Sequence, residues 1–329
     1  MSTGHLRTLA IILLVLVLGI FALTYSKRLG DGSGGEYLLP DLKSGINEIT
    51  RVRITKAGET TTLTNDSGKW VLTERQDYAI DSGKLRQLLL ALSDAKKLEE
   101  KTSKSELYEK LGVADVGPDS QGTGIRIVGP DSEISLILGN LAQRSYRYAR
   151  ISGEEESWLI DQNPTIPSGA SGWLVQELLD IDASRVKSVE IVHADGETVR
   201  VAKEDSEAAT FDVLDIPEGR ELSYATVANG ITGVLSGLNL QDVAAAADIA
   251  EGDGRATAVF TTFDGLTVTV DSFLREENTW IAIKAEGIDD AAGEATEMNG
   301  RLDGWMFQLQ NYKSDQLRRR WNDILKTEE

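Results

Sequence analysis

The sequence contains no cysteine and only two histidines among its 329 residues. The missing cysteine excludes a thiolate nucleophile, a disulfide, a zinc–sulfur site and an acylated N-terminal cysteine. A serine–histidine–aspartate triad would have to use His193, and no G-x-S-x-G motif accompanies that residue. We therefore interpret His193 as a solvated residue at a strand end, and we predict that the chain is not an enzyme.

Positive charge is also scarce, with 34 Lys and Arg against 53 Asp and Glu and a net charge of −19. Nucleic-acid binding needs a basic face that neutralises phosphates, so the composition argues against it. The same balance argues against the body lying flat on anionic lipid. No P-loop is present, and the acidic stretches at 248–254 and 289–290 lack the alternating oxygen ligands of a calcium loop. We predict no metal and no cofactor.

One long hydrophobic segment stands out, because 19 residues from Thr8 to Ser26 carry no formal charge. A helix of that length spans about 28 Å, close to the hydrocarbon thickness of a bilayer. We predict a short cytoplasmic tail and an uncleaved transmembrane anchor over residues 1–28. The residues expected to contact lipid are Leu9, Ile12, Leu14, Leu16, Leu18, Ile20, Phe21 and Leu23. A cleaved signal peptide and a buried soluble helix are the alternatives, although the segment is long for the first and lacks the polar face of the second.

The orientation of this anchor rests on weak charge signals. Arg7 precedes it and Lys27 and Arg28 follow it, which slightly favours an external N-terminus. The tail is very short, however, and long following domains are translocated largely regardless of charge. We therefore predict a single-pass protein of the inner (cytoplasmic) membrane with a periplasmic body. Residues 29–45, with a Gly/Ser-rich start, are predicted to be a flexible linker.

The body contains the same pattern of elements twice. Alternating strands begin at 49–54 and at 186–191, and each is followed by a Gly-containing turn and further strands. A helix is then predicted at 81–95 and at 223–236, before more strands close each half. We expect an α+β protein with two repeated lobes, each a curved antiparallel sheet with one packed helix.

The predicted lobes are joined by a hinge. The first lobe is placed at 46–163 and the second at 185–329, with the hinge at 164–184. The hinge is expected to carry a short apolar helix over 173–179. The aromatic-rich region from about 295 to 326 is predicted to be a C-terminal helical segment of the second lobe.

Five aromatic or arginine residues are candidates for a partner or ligand surface. Tyr146, Tyr148 and Arg150 alternate along a predicted strand, which places them on one face. Tyrosine and arginine are enriched at interface hot spots, although an aromatic–cation pair inside the sheet is the alternative. Trp305 and Trp321 of the C-terminal segment are the other two candidates, with core packing as their alternative.

Several motifs, in order along residues 46–245, match a known family. They are Val52-Arg53-Ile54, Gly58-Glu59, Leu63, Trp70-Val71-Leu72, Tyr78-Ala79-Ile80-Asp81, Leu107 to Val113, Leu138-Gly139, Tyr148-Ala149-Arg150, and Trp173 with Leu178 to Ile181. In these motifs the chain resembles the DUF4340 family of membrane-anchored proteins, whose domain has unknown function. It departs from the family at Ala149, where a larger apolar residue is common.

The resemblance implies a single-anchor protein with an extracytoplasmic body, associated with ABC-type transporters similar to those linked to gliding motility. It implies no enzymatic activity and no catalytic residues. We therefore expect a non-enzymatic accessory subunit, with the lipid bilayer, an ABC-type permease and an ATPase as its partners. The alternative is a stand-alone anchored protein that binds a small molecule or glycan in the cleft between the lobes.

Overall fold

The computed structural model of the protein describes residues 35–142, 145–248 and 252–327. The predicted anchor at 1–28 and the first residues of the predicted linker lie outside these ranges. Within them, no helix combines the length and the apolar character that a membrane span requires.

The described residues form eighteen strands. In chain order they are β1 Arg51–Lys56, β2 Glu59–Asp66, β3 Lys69–Leu72, β4 Tyr78–Ala79, β5 Lys97–Thr102, β6 Thr123–Val128, β7 Glu133–Leu141, β8 Arg147–Ile151, β9 Ser157–Ile160, β10 Glu177–Leu179, β11 Val186–His193, β12 Thr198–Ala202, β13 Asp212–Leu214, β14 Leu238–Ala245, β15 Asp253–Thr262, β16 Leu266–Arg275, β17 Asn278–Gly287 and β18 Trp305–Leu309.

Seven helices accompany these strands in the described chain, and most of them are short. They are α1 Leu42–Gly45, α2 Ser82–Asp94, α3 Tyr108–Leu111, α4 Ala228–Thr232, α5 Ala291–Leu302, α6 Asn311–Leu317 and α7 Trp321–Ile324. Single 3₁₀ turns lie at Ile46–Glu48, Thr73–Arg75, Ser105–Leu107, Ser171–Trp173 and Ala246–Asp248. The protein is therefore α+β, with strands predominating.

The chain divides into two units. In the described residues, unit one comprises 35–65 and 82–166, and unit two comprises Asp66–Asp81 and 167–327. The predicted first lobe, 46–163, differs from unit one chiefly at its interior, because a segment between β2 and α2 packs in unit two.

Unit one is an antiparallel sheet with the strand order β2-β1-β6-β7-β8-β9-β5. Alternating residues of its strands are buried, as Val52 and Ile54 illustrate in β1. The helix predicted at 81–95 is confirmed as α2. Its apolar stripe is buried in the core of this unit, through Leu85, Leu88, Leu89 and Leu92.

The described end of the predicted linker is packed in unit one. Leu38, Leu39 and Leu42 are buried, and the Leu38 N–H donates to the Ala95 carbonyl at 2.8 Å. Burial of three leucines gives this stretch a hydrophobic contribution that a Gly/Ser linker lacks. From about residue 36 onward the chain is thus part of the folded body rather than a flexible connection.

Unit two contains an antiparallel sheet with the strand order β10-β14-β18-β17-β16-β15-β11-β12-β13. Seven of its strands repeat the order found in unit one. With β12, β11, β15, β16, β17, β18 and β14 in place of β2, β1, β6, β7, β8, β9 and β5, the two orders are the same. The equivalent strands also follow one another in the same sequence along the chain. The repeat predicted from the sequence therefore corresponds to a shared order of seven strands in the two units.

A hairpin from the N-terminal half of the chain belongs to unit two. Strands β3 and β4 pair through Val71 with Ala79 and Leu72 with Tyr78. After β4, Ile80 forms a bridge with Leu174. The segment Asp66–Asp81 is thereby tied to residues that lie about a hundred positions later, a contact that sequence patterns do not reveal.

From residue 167 onward, the residues predicted to form a hinge belong to unit two, and several of them are part of its core. The predicted helix at 173–179 is wrong, because a 3₁₀ turn ends at Trp173 and β10 follows at Glu177–Leu179. Trp173, Leu174 and Leu178 are buried. A short apolar run of this kind is typical of a buried strand as well as of a helix. Here the residues form a strand because they pair with the neighbouring strand β14.

Two other helical predictions in unit two need correction. The predicted helix at 223–236 is reduced to α4, of five residues, although Ile231, Val234 and Leu235 are buried as expected. The region 295–326 is not continuously helical, because strand β18 separates α5 from α6. In β18 the period-two burial of Phe307 and Leu309 overrides the helical pattern around it.

Candidate functional site

The predicted Tyr–Arg cluster lies around β8 in unit one. Tyr148 and Arg150 are two residues apart in the strand and therefore share a face, while Tyr146 precedes the strand and is 39% exposed. Tyr148 is half-buried, and Arg150 is only 4% exposed. Arg150 is thus not accessible to a partner, and the cluster does not form one open surface.

Arg150 of β8 connects two other pieces of unit one, the segment 113–115 and the turn at Glu154. Its Nε donates to the Val113 carbonyl at 2.8 Å, and its Nη1 donates to the Glu154 carbonyl at 3.0 Å. Its Nη2 donates to the carboxylate of Asp115, whose side chain is 90% exposed. The buried guanidinium therefore has a partner on each nitrogen, which is the condition for burying a charge at tolerable cost.

An aromatic ring completes the environment of Arg150. The guanidinium carbon lies 4.6 Å from the centroid of the Tyr108 ring, and the Tyr108 hydroxyl donates to the Glu155 carbonyl at 2.5 Å. The aromatic–cation alternative considered for this cluster is therefore present, but its ring comes from α3 and not from a neighbouring strand. Sequence alternation could not identify Tyr108, which lies 42 positions before Arg150 in another element.

The C-terminal end of α3, at Leu111 and Gly112, lies directly on β7 and on the residue that precedes β6. A Cβ added to Gly122 would fall 2.3 Å from the Gly112 carbonyl, and one added to Gly139 would fall 2.3 Å from the Leu111 carbonyl. Two glycines thus permit a backbone approach that no larger residue could. This end of α3 covers part of the sheet face that Arg150 shares.

A pocket of about 500 Å³ opens beside this end of α3. Its lining combines polar and apolar surface, and its polar side chains are Glu109, Asp115, Asp119, Ser120 and Gln121. The hydroxyl of Ser120 donates to the Gly117 carbonyl at 2.8 Å, which closes the loop on one side. Carboxylates and amide groups here could accept hydrogen bonds from a small polar molecule.

Trp305 lies in unit two, on β18, and packs against the β3–β4 hairpin. Its ring contacts Tyr78 edge-to-face with centroids 4.9 Å apart, and Phe307 approaches Tyr78 at 6.1 Å. Burial raises the pKa of the Tyr78 hydroxyl. Trp305 is half-buried in this aromatic group, so the core-packing alternative describes it better than an open docking surface.

A bidentate ion pair fastens the same hairpin. Arg75 donates from Nε to Asp242 Oδ1 at 2.5 Å and from Nη2 to Oδ2 at 2.8 Å. Both side chains are less than a third exposed. The hydrogen bonds that Arg75 donates to the Asp242 carboxylate raise the pKa of the guanidinium.

Trp321 belongs to a C-terminal segment bound to the β11–β12 turn. Its backbone N–H donates to Glu197 Oε1 at 2.7 Å. The Nη1 of Arg320 donates to Asp195 Oδ2 at 2.8 Å and to Glu197 Oε2 at 2.6 Å. These two carboxylates raise the pKa of Arg320. The pKa of Asp195 is lowered, first by the Glu197 backbone N–H and then by Arg320.

His193 is part of the same attachment and is not the solvated residue that the sequence suggested. Its side chain is buried, and Nε2 lies 3.1 Å from the Arg319 carbonyl. A carbonyl oxygen can only accept a hydrogen bond, so Nε2 is the nitrogen that carries the proton and donates to it. The imidazole thereby supports the C-terminal segment. In the described part of the chain, no group of three or more His, Asp or Glu side chains could hold a metal ion.

The five candidate residues consequently fall into separate environments, three in unit one and two in unit two.

The family model described as "Domain of unknown function (DUF4340)" matches residues 70–253, more than half of the chain. No curated protein and no solved structure matches this chain significantly.

Proposed function

Because the chain belongs to the DUF4340 family, a domain of unknown function, we propose a role from its architecture. The protein is a non-enzymatic accessory subunit of an ABC-type transport complex in the inner membrane. Its single N-terminal anchor holds a periplasmic body, and the body serves as a scaffold or substrate-handling module. The partners are a permease and an ATPase, since this sequence has no P-loop with which to bind nucleotide.

The observation that carries this proposal is how the body uses its aromatic and arginine side chains. Arg150 joins Val113, Asp115 and Glu154, and Trp305 packs on a hairpin that Arg75 fastens to Asp242. Residues that elsewhere form binding or catalytic sites are here used to hold distant segments together. Such a body presents fixed surfaces, which favours a scaffold.

The test is affinity purification of the tagged full-length chain from native membranes in mild detergent, followed by mass spectrometry. We expect a permease and an ATPase in stoichiometric amounts. A matched control carries residues 1–34 fused to an unrelated reporter, and it should retain neither partner. Recovery of the full-length chain alone would reject the accessory-subunit role.

The proposed orientation can be tested separately because the chain lacks cysteine. A single cysteine introduced as Ser206→Cys lies in an exposed part of unit two. It should react with a membrane-impermeant maleimide in cells whose outer barrier is permeabilised, whereas Ser2→Cys should react only after membrane lysis. The reverse pattern would place the body in the cytoplasm.

A stand-alone ligand-binding protein is the second candidate function. The pocket of about 500 Å³ in unit one favours it, since that volume suits a small polar molecule or a sugar. A library of such compounds should then raise the melting temperature of the full-length chain. The Asp119→Asn variant, altered in the pocket lining, should lose that shift. Equal shifts in both proteins would place binding elsewhere.

A further inference from the structure

Three arginines lie close together on one face of the sheet of unit one. Arg51 and Arg53 alternate along β1, and Arg126 of β6 is the direct partner of Arg53. We call these three residues the arginine face. Side chains that directly oppose one another across antiparallel strands have Cβ atoms about 5 Å apart, and alternate residues of one strand lie about 7 Å apart.

The fold keeps the arginine face turned away from the core. Val52 and Ile54, the alternating neighbours in β1, are buried on the other side of the strand. A shift of one residue in register would exchange the two sets and bury charge. Arg51, Arg53 and Arg126 are all exposed.

The positive charge of this face is only partly neutralised. Arg126 donates to Glu133 at 2.7 Å. Among the described residues, no carboxylate forms an ion pair with Arg51 or Arg53. Like charges directly opposed across strands are destabilising, so an anion placed between Arg53 and Arg126 would relieve a repulsion already present in the fold.

We propose that the arginine face binds an acidic, extended polypeptide segment of a partner protein. Arg51 and Arg53 are spaced like alternate side chains of a strand, and so are two carboxylates at positions i and i+2 of an extended peptide. Each guanidinium can hold a carboxylate with two parallel hydrogen bonds. The inference rests on the proposed function, because it states how the scaffold recognises its partner.

Charge favours a peptide over an anionic membrane as the occupant. The chain as a whole carries −19, and a broad negatively charged surface would repel most of it. A narrow acidic strand can instead contact the three arginines and leave the acidic remainder of the body in solvent. The attraction should weaken with salt, since these side chains are exposed.

The experiment measures binding of a peptide of about ten alternating Glu and Thr residues to the full-length chain in neutral detergent at low salt. The variant Arg51→Gln/Arg53→Gln should bind about tenfold more weakly. The control Arg86→Gln/Lys110→Gln removes the same charge from exposed positions of α2 and α3 and should bind like the natural chain. A peptide in which Lys replaces Glu should not bind.

Two results would overturn the arginine-face proposal. One is equal affinity of both charge variants for the acidic peptide. The other is binding of phosphatidylglycerol in mixed micelles with no binding of the peptide, which would identify lipid as the occupant. Copurification of a permease and ATPase without peptide binding would reject this surface while leaving the accessory role intact, so the two failures are distinguishable.

Discussion

Arg150 shows how a single buried side chain can organise a unit. Replacement by methionine, Arg150→Met, removes the donors that satisfy the Val113 and Glu154 carbonyls and the contact with the Tyr108 ring. We expect a loss of about 2–4 kcal/mol in the free energy of unfolding, measured by urea denaturation.

Two controls separate burial from charge in this test. Arg86→Met alters an exposed arginine and should change stability by less than about 0.5 kcal/mol. Asp115→Asn removes the negative charge of the exposed partner of Arg150, keeps an acceptor oxygen there, and should cost less than about 1 kcal/mol. If Asp115→Asn were as damaging as Arg150→Met, the ion pair and not the carbonyl contacts would hold this region.

A second residue-scale prediction concerns the pKa of Asp195. We expect this carboxyl, followed by NMR in the folded chain, to titrate below its ordinary value of about 4. A lowered folded pKa means that the stabilisation is complete above the ordinary value and is lost as pH falls through the folded pKa. The contribution of Asp195 to the C-terminal attachment should therefore be lost only as the pH falls below the ordinary aspartate range.

The variant Arg320→Gln identifies the causes of that lowered pKa. It removes one donor to Asp195 but leaves the Glu197 backbone N–H at 3.1 Å. The pKa should rise toward, without reaching, its ordinary value. An unchanged pKa in the variant would exclude Arg320 as a cause.

For single residues, the sequence predicted which face of a strand a side chain occupies better than it predicted whether that side chain is buried. Alternation correctly placed Tyr148 and Arg150 on one side of a strand. It could not predict that Arg150 is buried, because the covering groups come from Tyr108, Val113 and Asp115 in a different segment. Burial of a polar residue depends on such distant partners, and local periodicity contains no information about them.

Helix α2 offers the clearest test among the elements. Leu88 is fully buried, whereas Leu90, two residues later, is 47% exposed on the other side of the helix. Leu88→Ala should lower the free energy of unfolding by about 2–5 kcal/mol because it leaves a cavity. Leu90→Ala should change it by no more than about 0.5 kcal/mol. Similar losses would mean that the helical face has been misassigned.

The accuracy of the predicted elements follows the strength of their local signals. α2 has four leucines at helical spacing and was predicted within a residue at each end. Residues 173–179 and 295–326 carry apolar runs that fit a helix or a strand, and pairing with β14 in both cases makes part of each run a strand. Sheet pairing joins residues far apart in the chain, so it can override local propensity.

At the scale of the whole molecule, the match to the family model does not coincide with a folding unit. Residues 70–253 omit β1 and β2 of unit one and nearly all of β15 to β18 in unit two. The omitted strands include the fully buried Phe260 and Phe307. We expect a fragment of residues 70–253 to show no cooperative thermal unfolding by circular dichroism.

The matched comparison for this fragment is residues 35–329, which contain every described strand and helix. That longer fragment should unfold in a cooperative transition. Cooperative unfolding of 70–253 would mean that the four central strands of the unit-two sheet are dispensable. The repeated strand order could be anticipated from the sequence pattern, but the placement of Asp66–Asp81 in unit two could not.

The placement of the β3–β4 hairpin in unit two also affects when during synthesis the hairpin can pack. During synthesis Arg75 is made 167 residues before its partner Asp242. At the usual rate of translation this is a wait on the order of ten to thirty seconds. Throughout it Tyr78 also lacks the rings of Trp305 and Phe307, against which it packs in the finished protein. The hairpin therefore completes its ion pair and its aromatic contacts only after the C-terminal half of the chain has been made.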